Sequence, residues 1–150
     1  MADILAPDVR SRMMSGIRAK NTKPEMIIRR GLHAMGFRFL LHDKRLPGKP
    51  DLVFPKYRAV IFVNGCFWHG HECSMFKWPK SREDFWRAKI AKNTSNDAAN
   101  SEKIAEMGWR CLTIWECSIG RRIDLALPTL FEQCSNWLLS DRNYLEISCK

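Results

Sequence analysis

Cys66, His69, His71 and Cys73 place two thiols and two imidazoles within eight residues, and Cys117 follows much later. Zinc binds soft or borderline donors, usually four in a tetrahedron. Residues 66–73 supply three or four such donors from one segment. Cys117 lies just beyond a predicted strand that could run beside Ala59–Val63, which would bring a distant ligand to the same sheet end. Spacing leaves open which histidine binds. The bland alternative, small core cysteines with polar loop histidines, suits a lone cysteine better than this cluster. It is retained for Cys111 and Cys134 on apolar faces and for Cys149 near the end of the chain.

A second candidate is Asp51, which Pro47-Gly48-Lys49-Pro50 leads directly into a strand. A carboxylate there can hold a hard cation through oxygen, and Mg²⁺ can polarise a phosphate or activate water. Lys49 adds a cation for a phosphate. By itself Pro-Asp is also an ordinary turn dipeptide. Glu25 is a potential second acid, although helix capping explains it too.

Large rings accompany these groups. Phe67 and Trp68 lie inside the ligand segment, where a metal-tied loop leaves little interior to bury them. Trp78 and Trp86 follow, interleaved with Lys77, Lys80, Arg82, Arg87 and Lys89. Rings among cations suit stacking on bases, with the cations on phosphates. The competing expectation is that Trp86 packs a helix face in the core with Phe85 and Ile90. One of the neighbours Phe85 and Trp86 is expected to face inward.

The elements that must position these residues can be read from pattern. Val9–Lys20 is a basic arm or short helix, with Met13, Met14 and Ile17 at helical spacing. Thr22-Lys23-Pro24-Glu25 is a capping box in which Thr22 and Glu25 would satisfy each other's amides. The helix it opens carries Met26, Ile27, Arg30 and His33 and ends at Gly36. Strands are expected at Phe37–Leu41, Asp51–Phe54 and Ala59–Val63, the last two joined by a turn at Pro55–Arg58. A long helix with Ser81 as N-cap runs towards Met107, with a potential break in its polar middle, Asn93–Asn100. A strand at Arg110–Trp115 and a helix at Leu125–Leu139, with Pro128 in its first turn, complete the chain. This order predicts an α/β fold: a mixed central sheet flanked by helices on both faces. We divide it into a basic arm, residues 1–20, and one domain, residues 21–150.

The 150 residues carry 25 Lys and Arg against 16 Asp and Glu, a formal charge of +9. A chain this basic attracts polyanions, of which nucleic acid is the commonest. Its start carries acids and no long apolar run, and no apolar stretch could cross a bilayer, so no membrane association is expected. The chain reads as cytoplasmic, where six cysteines favour metal over disulfides.

Taken together, Pro47-Gly48-Lys49-Pro50-Asp51, Val60 through His69 (Val-Ile-Phe-Val-Asn-Gly-Cys-Phe-Trp-His), Phe85-Trp86, Lys89-Ile90, Lys92-Asn93, Gly108-Trp109-Arg110 and Trp115-Glu116-Cys117 resemble the very short patch repair (Vsr) endonucleases. The resemblance implies a restriction-endonuclease-like fold with a structural zinc site. It also implies nicking of the thymine-bearing strand at T·G mismatches left by deamination of methylated cytosine. Asp51 would carry Mg²⁺ with the backbone carbonyl of Val63. His69 would serve as general base or acid, and Glu25 would hold water at the metal. Cys66, His71, Cys73 and Cys117 would bind zinc. Phe67, Trp68 and Trp86 would wedge into the base stack, Met14 and Ile17 would press on the opposite groove, and Lys89 would contact DNA.

Two departures stand out. Phe62-Val63-Asn64 replaces the acid-x-Lys pair of related restriction nucleases. Asn64, Gly70 and Glu72 stand where some members have histidines. Asn64 can hydrogen-bond a phosphate but exchanges no proton near neutral pH, which leaves His69 as the imidazole expected to act. The expected partner is double-stranded DNA with a T·G mismatch, bound by a monomer of bacterial type associated with the nucleoid through that DNA, with DNA repair proteins as further candidate partners. The alternatives are a non-catalytic zinc-stabilised DNA-binding module, which has no use for Asp51 and His69, and a redox or zinc-storage protein, which leaves Phe67-Trp68 unexplained.

Overall fold

The computed structural model describes residues 21–120 and 123–149. The arm, with Met14 and Ile17, lies outside the described residues. Helix α1, Lys23–Ala34, starts as the sequence predicts: the Thr22 side chain accepts a hydrogen bond from the Glu25 amide, with Pro24 in the first turn. The return arm of the capping box differs. Glu25 Oε1 accepts from the amide of Asn21, not Thr22, at 2.9 Å. The buried face of α1 is Glu25, Ile28 and Leu32, whereas Arg30 and His33 are exposed.

Among the described residues, five strands form one sheet in the order β1 (Leu40–Leu41), β2 (Leu52–Phe54), β3 (Ala59–Asn64), β4 (Arg110–Trp115) and β5 (Tyr144–Ile147). The β1–β2 and β2–β3 pairs are antiparallel, and the β3–β4 and β4–β5 pairs are parallel. A 3-10 turn at Pro55–Tyr57, closed by a left-handed Arg58, makes the β2–β3 connection. Parallel neighbours need crossovers. Helix α2, Glu83–Glu106, links β3 to β4, and helix α3, Ile123–Leu138, lies between β4 and β5.

The strand period of two then assigns the faces. Leu52, Phe54, Ala59, Ile61, Val63, Leu112 and Ile114 pack with Ile28 and Leu32 of α1 and with Leu130, Cys134, Trp137 and Leu138 of α3. The alternate residues Val53, Val60 and Cys111 pack with Ile104 of α2 on the other face. Where α1 meets α3, a Cβ on Gly31 would run into the tip of the Phe131 ring, so glycine permits this close approach.

Several expectations are corrected. The first strand shrinks to two residues because Phe37 and Phe39 turn into the core instead of extending the ladder. Arg82, in the left-handed region and without a side-chain cap, precedes α2, so Ser81 is not its N-cap. The polar middle of α2 does not break it. Pro128 is the sixth residue of α3, past the first turn, because that helix starts two residues earlier than expected. The strand β5 is additional. Among the described residues, no helix is long and apolar enough to cross a membrane.

Arg110 locks the far end of the sheet. Its guanidinium donates to the carbonyls of Trp137, Leu138, Arg142 and Tyr57 at 2.9–3.3 Å and stacks 4.7 Å from the Trp137 ring. It thus adds to the hydrogen bonds made by the Trp137 and Leu138 carbonyls at the end of α3. One ammonium cannot reach this fan of acceptors. Arg110→Lys should therefore lower the unfolding free energy by about 1–3 kcal/mol in urea denaturation. An unchanged midpoint would show that these bonds do not matter to stability.

Candidate active site and metal centre

Glu25, His42 and Asp51 converge beneath the β1–β2 edge, their ligand atoms all within 4.8 Å of one another. Glu25 is 1% exposed although it sits in the first turn of a helix. Its carboxylate is held by the Asn21 amide, by Arg29 Nη1 at 3.0 Å and by His42 Nε2 at 2.8 Å. Asp51 arrives through the Pro47–Pro50 turn, in which Gly48 (φ +78) and Lys49 (φ +49) are left-handed. A Cβ on Gly48 would meet the Asn100 side chain at 2.9 Å, so this glycine lets the turn dock against α2. The Val63 amide donates to Asp51 Oδ2 at 2.7 Å. Val63 thus meets Asp51 through its N–H. Burial pushes the Asp51 carboxyl up to about 8, the Val63 hydrogen bond opposing this and the Glu25 charge adding to it.

Asp51 shares a cavity of about 1100 Å³ with Lys49, Asn64 and His69. His69 Nδ1 pairs with Asp97 of α2. The same helix clamps the rest of the loop: Asn93 Nδ2 donates to the Trp68 carbonyl at 2.9 Å, and Thr94 Oγ1 to the His69 carbonyl at 3.4 Å. Gly70, left-handed at φ +64, brings the loop so close that a Cβ would lie 2.8 Å from Ile90. The polar middle of α2 is therefore the wall of the site.

At the end of the β3–β4 ladder Asn64 pairs with Trp115. Cys66 and Cys117 each lie two residues further on. With His71 and Cys73 they form a second cluster whose ligand atoms are all within 4.8 Å of one another. Cys117 Sγ lies 3.6 Å from His71 Nδ1, and the His71 ring stacks 4.2 Å from Trp115 at 9°. Of the two histidines, His71 joins the thiols and His69 faces Asp97. Burial pushes the Cys66 thiol up, and that of Cys117 to about 11. Cys111 and Cys134 lie outside this cluster, and burial pushes their thiols up to about 11 and about 12.

Phe67, Trp68 and Trp86 touch one another with centroids 5.1–5.7 Å apart. Phe76 stacks on Phe67, and Trp78 and Phe85 extend the group. Arg87 and Arg82 cap it, 4.2 Å from the Trp78 ring and 4.3 Å from Phe85. Phe67, Trp68 and Trp86 are half-buried and belong to none of the core clusters. Phe85 is exposed, so neither it nor Trp86 packs in the core as expected. Lys89 lies half-buried on α2. His42 and Asp97 were missed from sequence, and His69 is not the only imidazole near the acids.

The family model for the DNA mismatch endonuclease Vsr matches residues 2–75. The chain is 48% identical over 119 residues to the type II nicking enzyme V.XorIIP of Xanthomonas oryzae pv. oryzae, spanning 79% of this chain and 88% of that protein. It is 44% identical over 119 residues to the type II nicking enzyme V.NmeAIP of Neisseria meningitidis, spanning 79% and 85%. It is 39% identical over 141 residues to the DNA mismatch endonuclease Vsr of Escherichia coli, spanning 94% and 90%.

The raised Asp51 carboxyl has a consequence for stability. The fold favours its protonated form, so this contribution is complete below the unfolded value of 3.8 and is lost as pH rises towards about 8. Without added divalent cation, the melting temperature should fall across that window, and Asp51→Asn should flatten the fall. Identical profiles for the two proteins in scanning calorimetry would mean that Asp51 is ionised throughout.

Proposed function

As a member of the DNA mismatch endonuclease Vsr family, the chain is a DNA endonuclease, and we propose that it nicks the thymine-bearing strand at T·G mismatches arising from deaminated methylcytosine. The observation that carries this reading is the adjacency of Phe67-Trp68 to His69, which lines one cavity with Asp51. A base-stack wedge and a hydrolytic site then share a loop. We read the sheet, with its acids at the start of β2 and in α1, as restriction-endonuclease-like.

Two metals fit the donors. In a tetrahedral zinc site a sulfur and a nitrogen ligand lie about 3.6 Å apart, and Cys117 Sγ and His71 Nδ1 are separated by that distance. Cys66, His71, Cys73 and Cys117 would hold structural zinc. Asp51 and Glu25 would hold Mg²⁺, since a cation is what allows two crowded carboxylates to ionise together. When bound, Mg²⁺ supplies charge stabilisation at the scissile phosphate. Lys49 and Asn64 line the cavity and would contact phosphate oxygens. His69 has Nδ1 committed to Asp97, which leaves Nε2 to accept a proton from the attacking water. Phe67, Trp68 and Trp86 would enter the stack where a wobble pair makes unstacking less costly. The basic surface brings the chain to DNA.

Incubation with mismatched and matched duplexes, with Mg²⁺ or EDTA, tests this directly. Mg²⁺-dependent nicking of the T·G duplex alone is expected. Tight binding without nicking would instead favour the DNA-binding module. Asp51→Asn should reduce nicking by at least about a thousandfold while leaving binding largely intact. Phe67→Ala with Trp68→Ala should lower mismatch preference more than affinity for plain duplex; unchanged discrimination would sink the wedge assignment. Metal analysis should find roughly one zinc per chain, lost in Cys117→Ser together with much of the thermal stability.

A further inference from the structure

His42 has been described only as a hydrogen-bond partner of Glu25, yet its ring nitrogen lies near both acids. Nε2 lies 2.8 Å from Glu25 Oε2 and 3.9 Å from Asp51 Oδ1. Around an octahedral ion with bonds near 2.1 Å, neighbouring donors are about 3.0 Å apart and opposite donors about 4.2 Å. Each contact is a few tenths of an ångström shorter than those spacings, so a small outward shift of the ring would admit an ion. The backbone is held to this placement: His42 is left-handed at φ +48, a conformation that costs a residue with a Cβ, and its amide donates to the Asp51 carbonyl at 3.3 Å. Side-chain exposure of 19% leaves the ring reachable from solvent.

The charges argue the same way. Arg29 Nη1 lies 3.0 Å from the Glu25 oxygen that meets His42, so one guanidinium offsets one of the two carboxylates. Lys49 lines the same cavity. Mg²⁺ depends on charge and oxygen donors, which are diluted here. An imidazole nitrogen adds affinity for first-row transition ions that Mg²⁺ gains little from.

We propose that His42 is a ligand of the divalent cation held by Glu25 and Asp51, and that its nitrogen makes this site favour a first-row transition ion, even one as hard as Mn²⁺, over Mg²⁺. The proposal rests on the acid cluster being the cation site of the nuclease. Mg²⁺ remains a working ion through the oxygens alone. A ring that only hydrogen-bonds Glu25 would be blind to the identity of the ion, which separates the two roles.

The test uses the full zinc-loaded chain without DNA. Mn²⁺ binding is followed by electron paramagnetic resonance, with Mg²⁺ as competitor, for the wild type, His42→Gln and Asp51→Asn. The wild type should show nitrogen hyperfine coupling to the bound Mn²⁺. His42→Gln should lose that coupling and reduce the Mn²⁺-to-Mg²⁺ affinity ratio by about tenfold or more, while keeping Mg²⁺ binding. Bound Mn²⁺ without nitrogen coupling in the wild type would overturn the proposal, whatever the variant does. So would an unchanged ratio in a folded His42→Gln. If Asp51→Asn binds Mn²⁺ as the wild type does, the acid cluster is not the cation site, and the reading beneath the proposal fails with it.

Discussion

The parallel pairing of β3 with β4 decides where reactive groups can stand. Its register runs from Ala59 opposite Arg110 to Asn64 opposite Trp115. Beyond that last pair the two chains leave the sheet together, and Cys66 and Cys117 leave at the same height. A one-residue slip would reverse the facing of every β4 side chain and separate the two thiols. Parallel strands also demand a long connection, and here that connection is α2. The helix covers one face of the sheet through Ile104 and clamps the Cys66–His71 segment through Asn93, Thr94 and Asp97. The Cys/His cluster, the His69–Asp97 pair and the ring cluster therefore share one structural origin.

Against that scaffold the acid site is electrostatically costly. Glu25 is almost fully buried, and Asp51, close to it, is reached only from the cavity that it lines. Each is compensated locally: Glu25 by Arg29, His42 and the Asn21 amide, Asp51 by the Val63 amide. Part of the backbone strain lies in the same place, the rest being at Arg58 and Arg82. Asn21, His42 and Lys49 are all left-handed without being glycine, and each is within a few residues of an acid or contacts one.

What could be read from the chain, and what could not, divides along physical lines. The Cys/His cluster, the Asp51 turn, the Thr22 cap and the apolar β3 are local patterns, and each is found where the pattern put it. His42 depends on register. Leu41 pairs with Leu52, so residue 42 meets residue 51, but the loop between them is too long for a turn type to fix that pairing. Asp97 was hidden by an ambiguous signal. Asn93, Asp97 and Asn100 recur at helical spacing, which marks a polar stripe, yet polar residues in mid-helix also read as a break. Phe37 and Phe39 looked like strand residues because core burial and strand alternation produce the same short apolar pattern. Tyr144–Ile147 is too brief for its period to register.

The loop carrying Phe67 and Trp68 is anchored at both ends. Cys66 begins it, buried beside Cys117, and Asn93, Ile90 and Asp97 grip it from the helix side. A wedge can part stacked bases only if its mount yields less than the material it enters. Load on these rings would pass into β3 and β4 and along a helix of seven turns' length. The compliance of the assembly would then lie in the nucleic acid, and a sequence that bends easily would be opened before a stiff one, whatever its base edges display.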